Sequence, residues 1–453
     1  MDRDRSEFTL PPAHRAFLFS LQGLLGGFFL LGALLCGTAS LYCADGAQDI
    51  RFAFDRAEQV YQVGESATVT MTVIADNGQT ALAGMLYCRV TNDGRDTLDW
   101  REFDLSKANP VTLNVKLDFP GHVLLKVTAS GEGFNGNVDR FAGLSFDPQK
   151  IEPGLPKPDD FDQFWAGGRV AVREIPLDPE IVPLAEFSTE TTEVSQVGFA
   201  TLGGGRVYGF LSKPVGEGPF PAIVNVPGAG PGTGPDLALP SKGFATLVMN
   251  VFPYPVPTDP AERQQVHDEY NKSLGCRYCY LNAENRENYF YRNIYLGIDR
   301  AIDWFAGQSF VDKNRIGFCG TSQGGASALI LTSMNKNIKA TLASVPALCD
   351  HAGQLKGRAS GWPRLLDFSN GDPAVLEASR YLDGVNFARS IEVPIRVTVG
   401  FIDMTCPPSS VWSAYNVIPS TDKEMLLEQS LGHANGKEYE RGFRWLLDKV
   451  RDR

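Results

Sequence analysis

Five segments in the C-terminal two-thirds of the chain are apolar almost without interruption. They are "PAIVNV" at 221–226, "FATLVMNV" at 244–251, "RIGFC" at 315–319, "KATLASV" at 339–345 and "PIRVTVG" at 394–400. A strand with one wet face alternates polar and apolar residues, whereas these leave neither face for water. Between them lie segments of helical period. In one, Tyr291, Ile294, Ile298, Ala301, Ile302 and Phe305 recur at three- and four-residue spacing. "ASALILTSM" is a second helix, and "GKEYERGFRWLLDKVRDR" closes the chain as an amphipathic third. Buried strands alternating with helices predict an α/β domain, a parallel sheet covered on both faces.

The N-terminal third has a different rhythm. In "ATVTMTV" Val69, Met71 and Val73 alternate with Thr68, Thr70 and Thr72. In "VTLNVKL" Val111, Leu113, Val115 and Leu117 alternate with polar neighbours. Period two marks strands with one buried face, and turn signals at Asn77-Gly78 and Asn92-Asp93-Gly94 separate them. Residues 47–146 are therefore expected to form a small all-β sandwich of the immunoglobulin type. Pro148, Pro153, Pro156 and Pro158 make 147–160 a stiff linker, and the α/β domain spans 161–453.

Ahead of both lies a leader. Arg3, Arg5 and Arg15 precede an apolar run from Ala16 to about Cys43, with small residues at Thr38-Ala39-Ser40. This reads as an export signal over residues 1–46 and implies a periplasmic or secreted protein. The run at 16–43 is also long enough to span a bilayer, so an uncleaved membrane anchor is the alternative, and lipid attachment at Cys43 a third. The net charge is −11, from 42 basic and 53 acidic residues, with no basic cluster, which argues against a nucleic-acid partner. Among eight cysteines, Cys276 and Cys279 form the one C-x-x-C. Zinc would need a second pair, and redox chemistry a thioredoxin-like context. A local disulfide or two free thiols remain.

The chemistry concentrates in "GFCGTSQGGASA" at 317–328, where Ser322 lies between Gly320 and Gly324. A G-x-S-x-G set between a strand and a helix presents a nucleophile on a sharp turn. Serine needs a base within reach. Of the five histidines, His14 falls in the leader, His122 in the β region, His267 in a polar insertion, and His351 directly after "ALCD". His433, in "EQSLGHANG", alone follows the order serine, acid, histidine. The acid belongs at the end of a late strand, which favours Asp403 in "IRVTVGFIDMTCPP" over Asp383 in "YLDGVNF". A developing oxyanion needs donors. The N–H of Gln323 is one, and the loop "PGAGPG" is expected to supply the other. That loop is no phosphate cradle: Pro231 removes a donor and no Lys-Ser/Thr follows.

These residues resemble carbohydrate esterase family seven, the acetyl xylan esterases and cephalosporin C deacetylases. "KPDDFDQFW" is similar to the family's entry segment and "YFYRNIYLGIDRAIDW" to its helix before the serine. "GTSQGG" and "YLDGVNFARSIEVPIRVTVGFIDMTCPPSSVWSAYN" are similar to its nucleophile and acid regions. The resemblance covers roughly 155–453. It implies an α/β-hydrolase fold and removal of acetyl groups from sugar hydroxyls or other small acetyl esters. It implies Ser322, Asp403 and His433 as a triad, Ala229 and Gln323 as backbone oxyanion donors, and a homo-oligomer, with no metal or organic cofactor. Two motifs depart: Phe252-Pro253-Tyr254 replaces the family's Arg-Gly-Gln, and Ala434 replaces the Glu of its His-Glu. An exported serine esterase is the expectation. A serine peptidase on the same fold, or a non-catalytic glycan binder, are the alternatives.

Overall fold

The computed structural model describes residues 48–451. The expected leader, with its anchoring and lipid-attachment readings, lies outside them. The alternating segments build two sheets. Asp49–Phe54, Ala67–Ile74 and Val111–Val115 form an antiparallel three-stranded sheet. Val60–Tyr61, Val138–Phe146, Gly121–Ser130, Met85–Asn92 and Asp96–Asp104 form a five-stranded one in that order. Period two is realised as burial: Val69, Met71 and Val73 point inward, and so do Val111, Leu113 and Val115, while Thr112 and Asn114 face water. Both sheets feed one core, in which Leu86, Cys88, Val123, Leu125 and Val127 meet the valines of the smaller sheet.

The proline-rich segment is tied down rather than free. Ile151 is buried. The Gly154 N–H donates to Asp350 Oδ1 (2.7 Å), and Asn416 Nδ2 donates to the carbonyls of Pro148 (2.8 Å) and Ile151 (2.9 Å). Helix Phe161–Arg173 then begins, burying Phe161, Trp165 and Val172.

The apolar strands stand in a nine-stranded sheet. Its six parallel members run, in spatial order, Lys423–Glu428, Ile395–Gly400, Ala340–Ser344, Val311–Thr321, Phe220–Val226 and Ala245–Met249. Three antiparallel strands, Arg206–Pro214, Thr192–Ala200 and Glu180–Pro183, extend it beyond Ala245–Met249. The parallel expectation therefore holds for the centre and not for this edge, which needs no crossover helices because its strands reverse directly. Helices Phe290–Ala306 and Gln323–Met334 cover one face. Helix Lys437–Arg451 covers the other, with Leu446 and Val450 packed on Ile223 and Leu342. Neither face of Ala340–Ser344 or Ala245–Met249 meets water: both are buried throughout, and their few polar residues, Thr246, Thr341 and Ser344, are small.

Candidate active site

Ser322 sits between strand Val311–Thr321 and helix Gln323–Met334, with φ 61° and ψ −118°. A side chain rarely adopts positive φ, and strain of this kind is found at functional turns. The flanking glycines explain how the turn closes. A Cβ on Gly324 would stand 2.0 Å from the Val226 carbonyl oxygen, and one on Gly320 would stand 2.3 Å from that of Gly324. Gly325 is equally committed, since its Cβ would lie 2.4 Å from the Ser344 oxygen. Each spacing is shorter than van der Waals contact, so any larger residue would force strand and helix apart.

His433 lies in the loop between strand Lys423–Glu428 and helix Lys437–Arg451. Its Nε2 is 2.8 Å from Ser322 Oγ, and its Nδ1 is 2.8 Å from Asp403 Oδ2. A carboxylate only accepts, so Nδ1 carries the proton and Nε2 offers its lone pair to the serine hydroxyl. Asp403, beyond strand Ile395–Gly400, is buried, and its other oxygen accepts from the N–H groups of Thr405 (2.7 Å) and Cys406 (2.9 Å). Asn435 fastens the histidine loop: its Oδ1 accepts from Ser344 Oγ at 2.8 Å, and its Nδ2 donates to Thr321 Oγ1 at 3.0 Å.

The rival residues are elsewhere. Asp383 accepts from the N–H groups of Asp350, His351 and Val385 and caps helix Gly384–Ala388. Burial, and then the neighbouring Asp350, push its pKa up to about 7. His351 is buried, and burial drives its pKa down to about 4. His267 joins an aromatic cluster, edge-on to Phe252. His122 lies on strand Gly121–Ser130 of the five-stranded sheet. Cys276 and Cys279 are free thiols, so the disulfide alternative falls away.

Of the expected oxyanion donors, Gln323 follows Ser322 directly and Ala229 follows Gly228 in a neighbouring loop. Gln323 opens its helix, so its N–H has no carbonyl one turn back. The loop of Ala229 runs past Ser322, and a Cβ on the adjacent Gly228 would lie 3.8 Å from Ser322 Cβ. The Gln323 side chain has a role the sequence did not disclose. Its Oε1 accepts from the buried hydroxyls of Tyr278 (2.8 Å) and Tyr291 (2.7 Å), and its Nε2 approaches the Gly228 carbonyl at 3.5 Å. Behind Tyr278 stands Phe252, itself buried, with ring centroids 5.1 Å apart. The departing Phe252-Pro253-Tyr254 motif thus supplies support behind the turn. Asp403, Cys406 and His433 bring three potential metal donors within 4.8 Å. Asp403 and His433 are bound to each other, however, and burial holds the Cys406 thiol protonated, its pKa well above the usual thiol range.

Residues 147–449 match the acetyl xylan esterase (AXE1) family. The chain belongs to that family. It is therefore a carboxylic ester hydrolase, and the resemblance drawn from its motifs holds. Acetyl esterase Axe7A of Xylanibacter ruminicola is 28% identical over 304 residues, 65% of this chain and 67% of that protein. An acetyl xylan esterase from Paenibacillus sp. R4 shares 26% identity at TM-score 0.58, over 66% of this chain and 98% of its own. Acetyl xylan esterase 1 from Thermoanaerobacterium sp. JW/SL YS485 has the same fold, at TM-score 0.58 and 22% identity, over 67% of this chain and 97% of its own. The nine-stranded unit is of the α/β-hydrolase type.

Proposed function

We propose that this esterase is exported and removes acetyl groups from acetylated sugars of the xylan type through an acyl-enzyme. The observation that carries the reading is the pair of 2.8 Å contacts by which His433 bridges Ser322 and Asp403. Ser322 Oγ attacks the acetyl carbonyl carbon while Nε2 of His433 takes its proton. Asp403 holds the imidazole in the required tautomer and stabilises the imidazolium that forms. The carbonyl oxygen, now negative, is held by the N–H groups of Gln323 and Ala229. Collapse of the tetrahedral intermediate breaks the bond to the sugar oxygen, which leaves with the proton from His433. Water then attacks the acetyl-serine, giving its proton to His433, and acetate and free Ser322 result. The two-sheet unit at 49–146 is read as an immunoglobulin-like sandwich.

A deacetylase needs only a small acyl site. A longer acyl chain would overpack it, at about 1–3 kcal/mol, which corresponds to roughly 5- to 150-fold in specificity. The test compares kcat/KM for acetyl and octanoyl esters of one alcohol, alongside acetate release from acetylated xylo-oligosaccharides. A ratio near one, with no release from the sugars, would move the protein to the general esterases. Cleavage of peptides in preference to acetyl esters would make it a peptidase.

A further inference from the structure

The loop that carries Asp403 is gripped at both ends by the β sandwich. At its start, the carbonyl of Phe401 lies 2.8 Å from His122 Nε2, and Nδ1 of His122 lies 2.8 Å from Ser145 Oγ. A carbonyl only accepts, so Nε2 carries the hydrogen and Nδ1 accepts from the serine hydroxyl. Both residues are fully buried, and burial lowers the His122 pKa to about 4, so this neutral tautomer persists at ordinary pH. The fit leaves no slack. A Cβ on Gly143 would stand 2.2 Å from the Phe401 oxygen, and the Phe401 ring meets the His122 ring edge-on at 5.3 Å. At the far end, buried Asp93 accepts from the Ser409 N–H at 2.7 Å, within the first turn of helix Pro408–Asn416. Asp403 lies between the two anchors.

The family match begins at residue 147, so His122, Ser145, Gly143 and Asp93 all come from outside it. We propose that the sandwich is a positioning part of the catalytic apparatus: His122 and Asp93 fix the acid loop in the register at which Asp403 meets His433. The proposal rests on the reading of Asp403 as the catalytic acid. A spacer domain would touch the esterase through exposed side chains. Here a buried, neutral, doubly bonded imidazole is spent on one carbonyl, two residues from the acid.

The test uses the full chain, with kcat, KM and the pH dependence of kcat/KM measured on an activated acetyl ester. Rates are normalised to folded protein by circular dichroism. His122→Phe keeps the bulk and removes the donor. Misplacement of a catalytic group by about 1 Å costs on the order of 100-fold, so kcat should fall about 10- to 100-fold with KM little changed. The acid limb of kcat/KM should move to lower pH, because an imidazolium without its carboxylate loses its proton more readily. A change that merely destabilised the fold would not move that limb. His122→Gln places an amide N–H near the position of Nε2 and should restore most of kcat. A folded His122→Phe enzyme with wild-type kcat and acid limb overturns the proposal, as does a Gln variant as impaired as the Phe one. If His122→Phe does not fold, Ser145→Ala carries the test: it must lower kcat and shift the limb in the same sense, and wild-type values refute the proposal. Asp403→Asn is measured in parallel. If it retains turnover, the acid assignment itself fails. If it is inactive while the 122 and 145 variants match wild type, only the sandwich's role fails.

Discussion

Ser322 and Asp403 belong to one site but are held in different ways. The serine's support is local. Gly320, Gly324 and Gly325 stand within three residues of it and let the turn close against Val226 and Ser344. The acid's carboxylate is held locally by the Thr405 and Cys406 N–H groups, but its loop is supported from far away in the chain. Its loop is anchored by His122 and Asp93, about 280 and 310 positions earlier in the chain. A locally built turn fails only when its own residues change. A loop built from distant contacts fails by small displacements that leave the local sequence intact. The two sides should therefore respond differently to substitution.

The serine side should give the largest effect. Ser322→Ala removes the hydroxyl proposed to attack and should lower kcat by at least about 10⁴-fold with the fold unchanged. Steady-state assay and a fluorophosphonate label test this together. Label on another residue of the unmodified enzyme would place the nucleophile elsewhere.

On the acid side, Asp403→Asn should cost on the order of 10⁴-fold in kcat. Asp383→Asn should spare turnover, because Asp383 caps a helix and does not touch His433. Comparable, mild losses in both variants would erase the distinction between them. Asp383 has its own signature in stability. Its folded pKa of about 7 lies above the ordinary carboxylate value, so the native state holds a proton that the unfolded state has lost between about pH 4 and 7. Stability from this group is thus present below the unfolded pKa and is lost as pH rises through the folded one. Asp383→Asn should flatten that decline in a series of melting curves across the window. An undiminished slope would assign it to another group.

The same contrast explains what the sequence made legible. The elbow was readable because its requirements are met by neighbours: an apolar strand, small residues around Ser322, and an apolar helix after it. His433 and Asp403 were readable through chain order and strand ends. What could not be read depended on residues brought together only by the fold. Of the three antiparallel edge strands, Glu180–Pro183 is exposed throughout and Thr192–Ala200 mixes exposed and buried positions, while the apolar stretch Val207–Leu211 of Arg206–Pro214 does not announce its direction in the sequence. The Gln323 side chain gave no sign of its partners, since Tyr278 and Tyr291 come from 45 and 32 positions away. His122 carried no motif, since nothing near it in sequence announces Phe401 as its partner.

The smallest expected effect falls where the two sides join. Asn435, two residues past His433, bonds Ser344 Oγ and Thr321 Oγ1, so it ties the histidine loop to the serine side and not to the sandwich. Ser344 in turn holds the backbone of Ser322, its carbonyl accepting from the Ser322 N–H at 2.9 Å. Removing such hydrogen bonds costs about 0.5–1.5 kcal/mol each, which at roughly tenfold per 1.4 kcal/mol predicts a drop in kcat of about 2- to 13-fold per bond. Asn435→Ala should therefore lower kcat by around tenfold. Asn435→Asp keeps the acceptor for Ser344 and should lose less. A loss in Asn435→Ala as large as that in Asp403→Asn would mean that the histidine loop hangs on this one residue. No loss would mean that Asp403 alone suffices to orient His433, and the remote side of the site would then be the only side that positions it.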